Sequence, residues 1–378
     1  MEIKKKFFLL AGEPSGDLHG SKLIRAIKIL EPNSSFIGHG GDLMREEGMT
    51  ILEHIDNLSF MGFTEVIKHL PRIVKILKKT RNAIQKLKPD RIILIDYPGF
   101  NLRIAKQISN LSIPITFFIL PQVWAWKKNR IKILKENTDQ LIGIFPFEKK
   151  WFHNNDVDIE FLGHPFADDK HIGETSKSFY GRHNLTIEHP ILLLLPGSRE
   201  QEIYRHWPIF LEVANRIKLK FPKMQIILGK PDHIFIDKIP DYIKIEKNAK
   251  KAMVVSTAAI VASGTATLEC AIENLPMVTC YKMSFISWVI AKSVIKLKYS
   301  CMPNIMASKE IVPELLQGQM KSDNIIEHIT PLLDINSKKR KRMIEKLEPI
   351  KTGLGSPGVY NRVAKTILNR TALNERKN

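Results

Sequence analysis

Short apolar runs alternate with helical patterns along the first half of the chain, and the alternation then restarts. The first set of runs is Phe7–Ala11, Phe36–Gly38, Arg91–Ile95, Ile115–Ile119 and Leu141–Phe145. Between them, apolar residues recur at helical spacing over Lys22–Leu30, Glu65–Lys79 and Arg103–Leu111. The second set is Ile191–Leu195, Gln225–Leu228, Ala259–Ala262 and Met277–Cys280. Such alternation predicts parallel βα layering, twice over.

Gly163–His189, rich in charge, Gly and Pro, reads as the linker between the two sets. Gly353–Gly358 breaks the chain again before a last helical pattern, Val359–Asn369. The expected fold class is α/β, with two Rossmann-like doubly wound domains facing across a cleft. Their expected bounds are residues 1–165 and 186–350, with ligands at the carboxyl ends of the strands. A length of 378 residues suits two cores better than one. Hydrophobic content of 44% and charged content of 26% are those of a globular protein, so disorder is not the default.

Charge narrows the partners. An excess of 58 basic over 39 acidic residues leaves +19, which favours an anionic partner: nucleic acid, an acidic membrane surface or phosphorylated small molecules. No recognisable RNA- or DNA-binding motif interleaves the basic residues with aromatics, so nucleic acid is not expected. The opening run, basic and then apolar, is too short for a signal peptide and meets Glu13 and Asp17 at once; it reads as a first strand. No segment reaches the ~20 apolar residues of a membrane span. Cys270, Cys280 and Cys301 show neither metal nor redox spacing. A cytoplasmic protein follows, with peripheral membrane contact at most. His19, His39, His164 and His206 lack the pairing of a zinc site, and neither a P-loop nor a Gly-x-Gly-x-x-Gly is present. No metal and no cofactor is expected.

Four constellations carry candidate chemistry. Ala11–Asp17 places Gly12 and Gly16 in a turn after the first strand, with Glu13 and Asp17 beside them. Acids there suit sugar hydroxyls or a base better than phosphate; Asp17 capping the next helix would explain only one of them. In Ile92–Asn101 a carboxylate, Asp96, ends a buried strand, where desolvation raises it toward a useful base. Asn101 fits the cap of the following helix. Leu192–Arg199 ends a strand in a Gly-Ser turn carrying Arg199, whose fork suits phosphate oxygens, with an ion pair to Glu200 or Glu202 as the plainer reading. Ala259–Ile272 puts Ser263, Gly264, Thr265 and Thr267 at a helix start, a natural pyrophosphate site, with Glu269 placed to accept ribose hydroxyls. A capped helix with a first-turn acid accounts for the same residues without a ligand.

Two basic amphipathic stretches bear on membranes. Phe63, Val66, Ile67, Leu70, Ile73, Val74 and Leu77 recur at helical spacing among Lys68, Arg72, Lys75, Lys78 and Lys79. Phe285–Leu297 holds Trp288 with Lys292 and Lys296. Stripes of this kind are more often core than membrane, and the first, more densely basic, is the better interfacial candidate.

Together, Ala11–Asp17, Asp96–Asn101, Pro121–Trp126, Phe145–Glu148, Gly163–Pro165, Leu195–Arg199, Ser263–Glu269 and Met302–Asn304 closely resemble lipid-A-disaccharide synthase. The blocks come in the family's order and extend over nearly the whole chain. The resemblance implies the glycosyltransferase B fold and the joining of UDP-2,3-diacylglucosamine to 2,3-diacylglucosamine 1-phosphate through a β(1→6) bond, with inversion and release of UDP. It implies that Arg199, Gly264, Thr265, Thr267, Glu269 and Asn304 hold UDP in the second domain. In the first, Ser15, Asp17 and Asn101 would meet the acceptor, with Asp96 or Glu13 as base. Fixed donors rather than a metal would meet the leaving charge. The stripe from Phe63 to Val74 would touch an anionic inner-membrane surface, and the helix within residues 356–378 would pack on the first domain or on a partner subunit of a homodimer. Gly99 departs from the family, many members of which carry an acid there. A same-fold rival, adding N-acetylglucosamine to a lipid-linked peptidoglycan precursor, lacks the acidic Ala11–Asp17 loop and the Trp124–Trp126 pair. A sugar-nucleotide epimerase of related fold is a more distant reading.

Overall fold

A computed structural model describes residues 4–58, 70–169, 176–232, 234–294 and 297–375. The chain forms two compact units, residues 1–169 with 354–378, and residues 170–353.

In the first unit the strands are β1 (Lys6–Leu10), β2 (Ser35–Gly40), β3 (Thr50–His54), β4 (Arg91–Ile95), β5 (Ile115–Phe118), β6 (Gln140–Gly143) and β7 (Glu160–Phe161). They lie in the order β3-β2-β1-β4-β5-β6-β7, all parallel. The second unit repeats the scheme with β8 (Ile191–Leu195), β9 (Gln225–Gly229), β10 (Ile243–Glu246), β11 (Ala258–Ala262), β12 (Met277–Tyr281) and β13 (Glu314–Leu316), in the order β10-β9-β8-β11-β12-β13. Strand order therefore reverses between β1 and β4, and again between β8 and β11. In open parallel sheets such switch points leave a crevice at the carboxyl ends of the strands.

Successive β1 residues feed opposite faces of the first sheet, Phe8 and Leu10 into one core and Phe7 and Leu9 into the other. The helix Val359–Glu375 completes the second of these cores with Val359, Tyr360, Val363, Ala364, Ile367 and Leu368, and it packs on the helix Pro14–Leu30. Asp168 accepts from the Val359 and Tyr360 amides at 3.0 and 3.1 Å, fixing that helix's start. Fully buried Arg91 donates to Thr371 Oγ1 at 2.7 Å and to Thr116 Oγ1 at 3.1 Å, tying the last helix to β4 and β5.

The two amphipathic stretches match their expected places only in part. Phe63, Val66 and Ile67 lie outside the described residues. In the helix Leu70–Leu87, Ile73, Ile76 and Leu77 are buried in the first unit's core, so Ile73 is not available to a membrane. Leu70 and Val74 are exposed. The helix Phe285–Val294 buries none of its residues: Phe285, Ile286, Val289, Ile290 and Val294 all face solvent. No helix among the described residues is long and apolar enough to cross a membrane.

Candidate active site

β1 and β4 are neighbours, with Leu10 opposite Leu94, so the loops leaving them emerge side by side at the first switch point. The helix after β1 starts at Pro14, earlier than expected, because Pro suits a helix's first position. Glu13 stands just before it, exposed, and makes no side-chain cap bond. Asp96 ends β4. Burial, and then the charge of Glu13, push its carboxyl up to about 6, against a hydrogen bond from the Tyr97 amide. Asp96 and Tyr97 both adopt left-handed backbone, with φ of 45° and 47°, a costly conformation for residues other than glycine. This kink lays the Tyr97 ring over Gly12, where a Cβ would come within 2.2 Å of Tyr97 Cδ1. Only glycine fits there. The Tyr97 hydroxyl donates to the Leu58 carbonyl at 2.6 Å.

Asp17 and Asn101 turn inward, which revises their expected contact with an acceptor. Asp17 lies in the first turn of its own helix but accepts from the amides of Gly41, Leu43 and Met44 at 2.7, 3.1 and 3.1 Å, so its oxygens cap the helix Asp42–Glu46 instead. Asn101 sits inside the helix Pro98–Ile108 and is not its cap. Its Nδ2 faces the carbonyls of Asp96, Leu10 and Ile95 at 2.7, 3.3 and 3.3 Å, stapling the ends of β1 and β4. Ser15 is exposed in the first turn after Glu13. Gly99 is exposed, and a Cβ there would meet nothing within 4 Å, so the acid of other family members would fit.

At the second switch point Leu195 pairs with Val261, bringing the Pro196–Arg199 and Ser263–Thr267 loops together. Gly197 takes φ 131°, open only to glycine at low cost. Arg199 is the residue before the helix Glu200–Lys220; it is 66% exposed, and its Nη1 lies 3.9 Å from Glu202. A pair so open and so long holds the guanidinium weakly. The helix Thr265–Ile272 starts behind Gly264 with no side-chain cap. Thr267 is buried and spends its hydroxyl on the Gly264 carbonyl at 2.7 Å, whereas Thr265 is exposed. Glu269 is half-buried, 3.4 Å from Lys250 Nζ.

Asn304 does not face this turn directly. Completely buried, it accepts from the amides of Ile311 and Val312 at 2.7 and 2.9 Å and donates to the Val312 carbonyl and to Glu314 at 2.8 and 2.7 Å. Glu314 in turn accepts from the Ser300 amide, and the Ser300 carbonyl accepts the Ser263 hydroxyl at 3.1 Å. Asn304 thus shapes the loop that touches the turn.

A model of the lipid-A-disaccharide synthetase family matches residues 7–356. The chain is 33% identical over 371 residues to the lipid-A-disaccharide synthase of Myxococcus xanthus, covering 96% of this chain and 97% of that one. It is 36% identical over 371 residues to lipid-A-disaccharide synthase 1 of Legionella pneumophila (strain Paris), with 94% and 95% covered. The chain belongs to the lipid-A-disaccharide synthase family. It is a glycosyltransferase of lipid A biosynthesis. Among solved structures, the kitacinnamycin glycosyltransferase superposes with a TM-score of 0.67 at 12% identity, covering 97% of this chain and 99% of that one. The UDP-GlcNAc 2-epimerase of Neisseria meningitidis gives 0.64 at 11% identity, covering 97% and 100%. At such low identity these two report the fold alone.

Two residues that shape the candidate site escape a reading of the sequence. Tyr97, beside the acid, has only its place after Asp96 to signal it. His206 lies on the buried face of its helix, with Nδ1 donating to the Pro196 carbonyl at 2.7 Å and Nε2 accepting from the Lys282 amide at 2.9 Å. Burial pushes its pKa down, keeping the ring in the neutral form that this bridge requires. The Pro196–Arg199 loop is thereby fixed to the end of β12.

Proposed function

We propose that the chain transfers the acylated glucosamine of UDP-2,3-diacylglucosamine to the 6-hydroxyl of 2,3-diacylglucosamine 1-phosphate. The observation that carries this reading is Asp96, a strand-end carboxyl brought to about 6 by burial and by Glu13. Such a group is ionised at neutral pH yet basic enough to take a hydroxyl proton as it is lost. The acceptor oxygen forms its bond to the anomeric carbon from the face opposite UDP, the bond to the diphosphate oxygen breaks, the proton goes to Asp96, and the configuration inverts. Glu13 is the second candidate base. Asp17 and Asn101 position these loops, and Ser15 remains a contact for the acceptor.

The 186–350 domain takes UDP in this reading, and the 1–165 domain the acceptor. Arg199 and the amides at Gly264 and Thr265 meet the charge that develops on the departing diphosphate. Thr267 holds the turn, Asn304 its neighbouring loop, and Glu269 the ribose. The Neisseria epimerase, solved with UDP-GlcNAc, has the same fold and supports a nucleotide-sugar site. The enzyme works at the cytoplasmic face of the inner membrane, where its lipid substrates reside. Supporting this are exposed Leu70 and Val74 and the solvent-facing helix Phe285–Val294, set in a stretch, 274–309, without a single acid. Incubation with both acylated glucosamines tests the reading. UDP release matched by a disaccharide product of the summed mass is expected; UDP release without a disaccharide, or none, would end it.

A further inference from the structure

The loop after β5 carries Trp126, 41% exposed. Lys127 Nζ lies 4.4 Å from its ring centroid and Arg130 Cζ 5.2 Å, both within cation–π range. Arg103 lies on the helix Pro98–Ile108, which packs against the helix Arg130–Asn137. Burial, and then Arg130 and Arg103, push the Lys127 ammonium below its usual value; burial, and then Arg103, do the same to Arg130. The three cations are therefore near enough to repel one another. Among the described residues, no carboxylate pairs with any of them. Other cations of this chain do find acids, as Lys22 does at Asp169 and Arg216 at Asp323.

Like charges gathered around one indole without a counter-ion are unfavourable until an anion joins them. The cluster also adjoins the acid pair. Burial and Glu13 push the Tyr97 phenol up to about 12 while Arg103 opposes them, so Tyr97 feels both groups. β4 and β5 are adjacent strands, and both loops leave at their carboxyl ends.

We propose that Arg103, Lys127 and Arg130 bind the phosphate monoester of the acceptor sugar, with Trp126 as the platform that fixes two of the cations. The proposal rests on the transferase reading above. A monoester carries nearly two negative charges and three acceptor oxygens, matching a planar guanidinium fork and a mobile ammonium. Anchored there, the sugar has its ring held with the far hydroxyl free to reach Asp96.

The test compares two acceptors, acylated glucosamine 1-phosphate and the same sugar without its phosphate. The enzyme should prefer the phosphorylated acceptor in kcat/KM by about ten- to hundredfold, as for charge-assisted hydrogen bonds. In the Lys127→Ala, Arg130→Ala double variant that ratio should fall toward one while KM for the UDP-sugar holds. Arg130→Lys, which keeps the charge and loses the fork, should fall between. Calorimetric titration with glucosamine 1-phosphate reads the site without turnover, and the double variant should bind at least about tenfold more weakly. An unchanged ratio and unchanged titration overturn the proposal. So does loss of binding to phosphatidylglycerol vesicles with the ratio intact, which would assign the cations to membrane lipid. If neither acceptor yields a disaccharide, the transferase reading fails, and the titration alone decides the phosphate site.

Discussion

The two sheets reverse strand order in the same way, yet the loops at the two reversals carry opposite chemistry. At the β1/β4 point two carboxyls stand close enough for one to raise the other. At the β8/β11 point an exposed arginine and an uncapped helix start stand together. In the proposed reading, the first supplies a proton acceptor and the second meets a diphosphate. Each also has a buried polar residue turned inward, Asp17 in the first onto backbone amides alone and Asn304 in the second onto backbone and Glu314. The shared scaffold supplies position, and the few residues after each strand supply the chemistry.

Substitutions at the two points should separate these roles. Asp96→Asn is expected to lower kcat by about two to four orders of magnitude, with UDP binding by calorimetry unchanged. It should not weaken the fold at neutral pH. A carboxyl whose folded pKa is raised to about 6 contributes stability below its unfolded value and loses it as pH rises through 6, so the neutral amide removes a cost. Full turnover in this variant would pass the proton to Glu13. Arg199→Ala should cost on the order of a hundredfold in kcat, the loss of one donor to a leaving group. Equal activity would reduce that side chain to its loose pair with Glu202. Asp17→Ala and Asn304→Ala should each destabilise the protein by about 1–3 kcal/mol in denaturant titration, through backbone amides left without partners. Midpoints unmoved in both would undo their assignment as internal ties. The smallest effect is expected from Glu13→Gln. The rate should fall below about pH 6 as Asp96 protonates, and removing the neighbouring charge should move that inflection to lower pH. A rate as low as that of Asp96→Asn would instead make Glu13 the base.

The interior strands were legible in the sequence and the edges were not. β3, β7, β10 and β13, absent from the reading of apolar runs, are the outermost strands of their sheets. An edge strand such as β10, Ile-Lys-Ile-Glu, keeps polar positions that interrupt a continuous run, and β7 and β13 are two and three residues long. At the site, Asp96, Arg199 and the Gly264 turn stand at strand ends, as their motifs implied. Asp17, Asn101 and Asn304 could not be told apart from ligand contacts, because a polar side chain near a strand end reads the same whether it faces a ligand or a backbone amide. The helix Phe285–Val294 was misread for a related reason: apolar content reports a wish for burial, not whether this chain meets it.

The path of the chain carries a consequence for biogenesis. The first unit is left at residue 169 and rejoined at 354, so the second is inserted into it. During synthesis the inserted unit can close on itself while the earlier sheet still awaits Val363, Ile367 and the Thr371 hydroxyl that Arg91 seeks. Until the ribosome delivers them, a greasy flank of that sheet stays bare and an arginine lacks part of its shell. A nascent chain stalled before residue 354 should therefore recruit chaperones through its oldest half, not its newest.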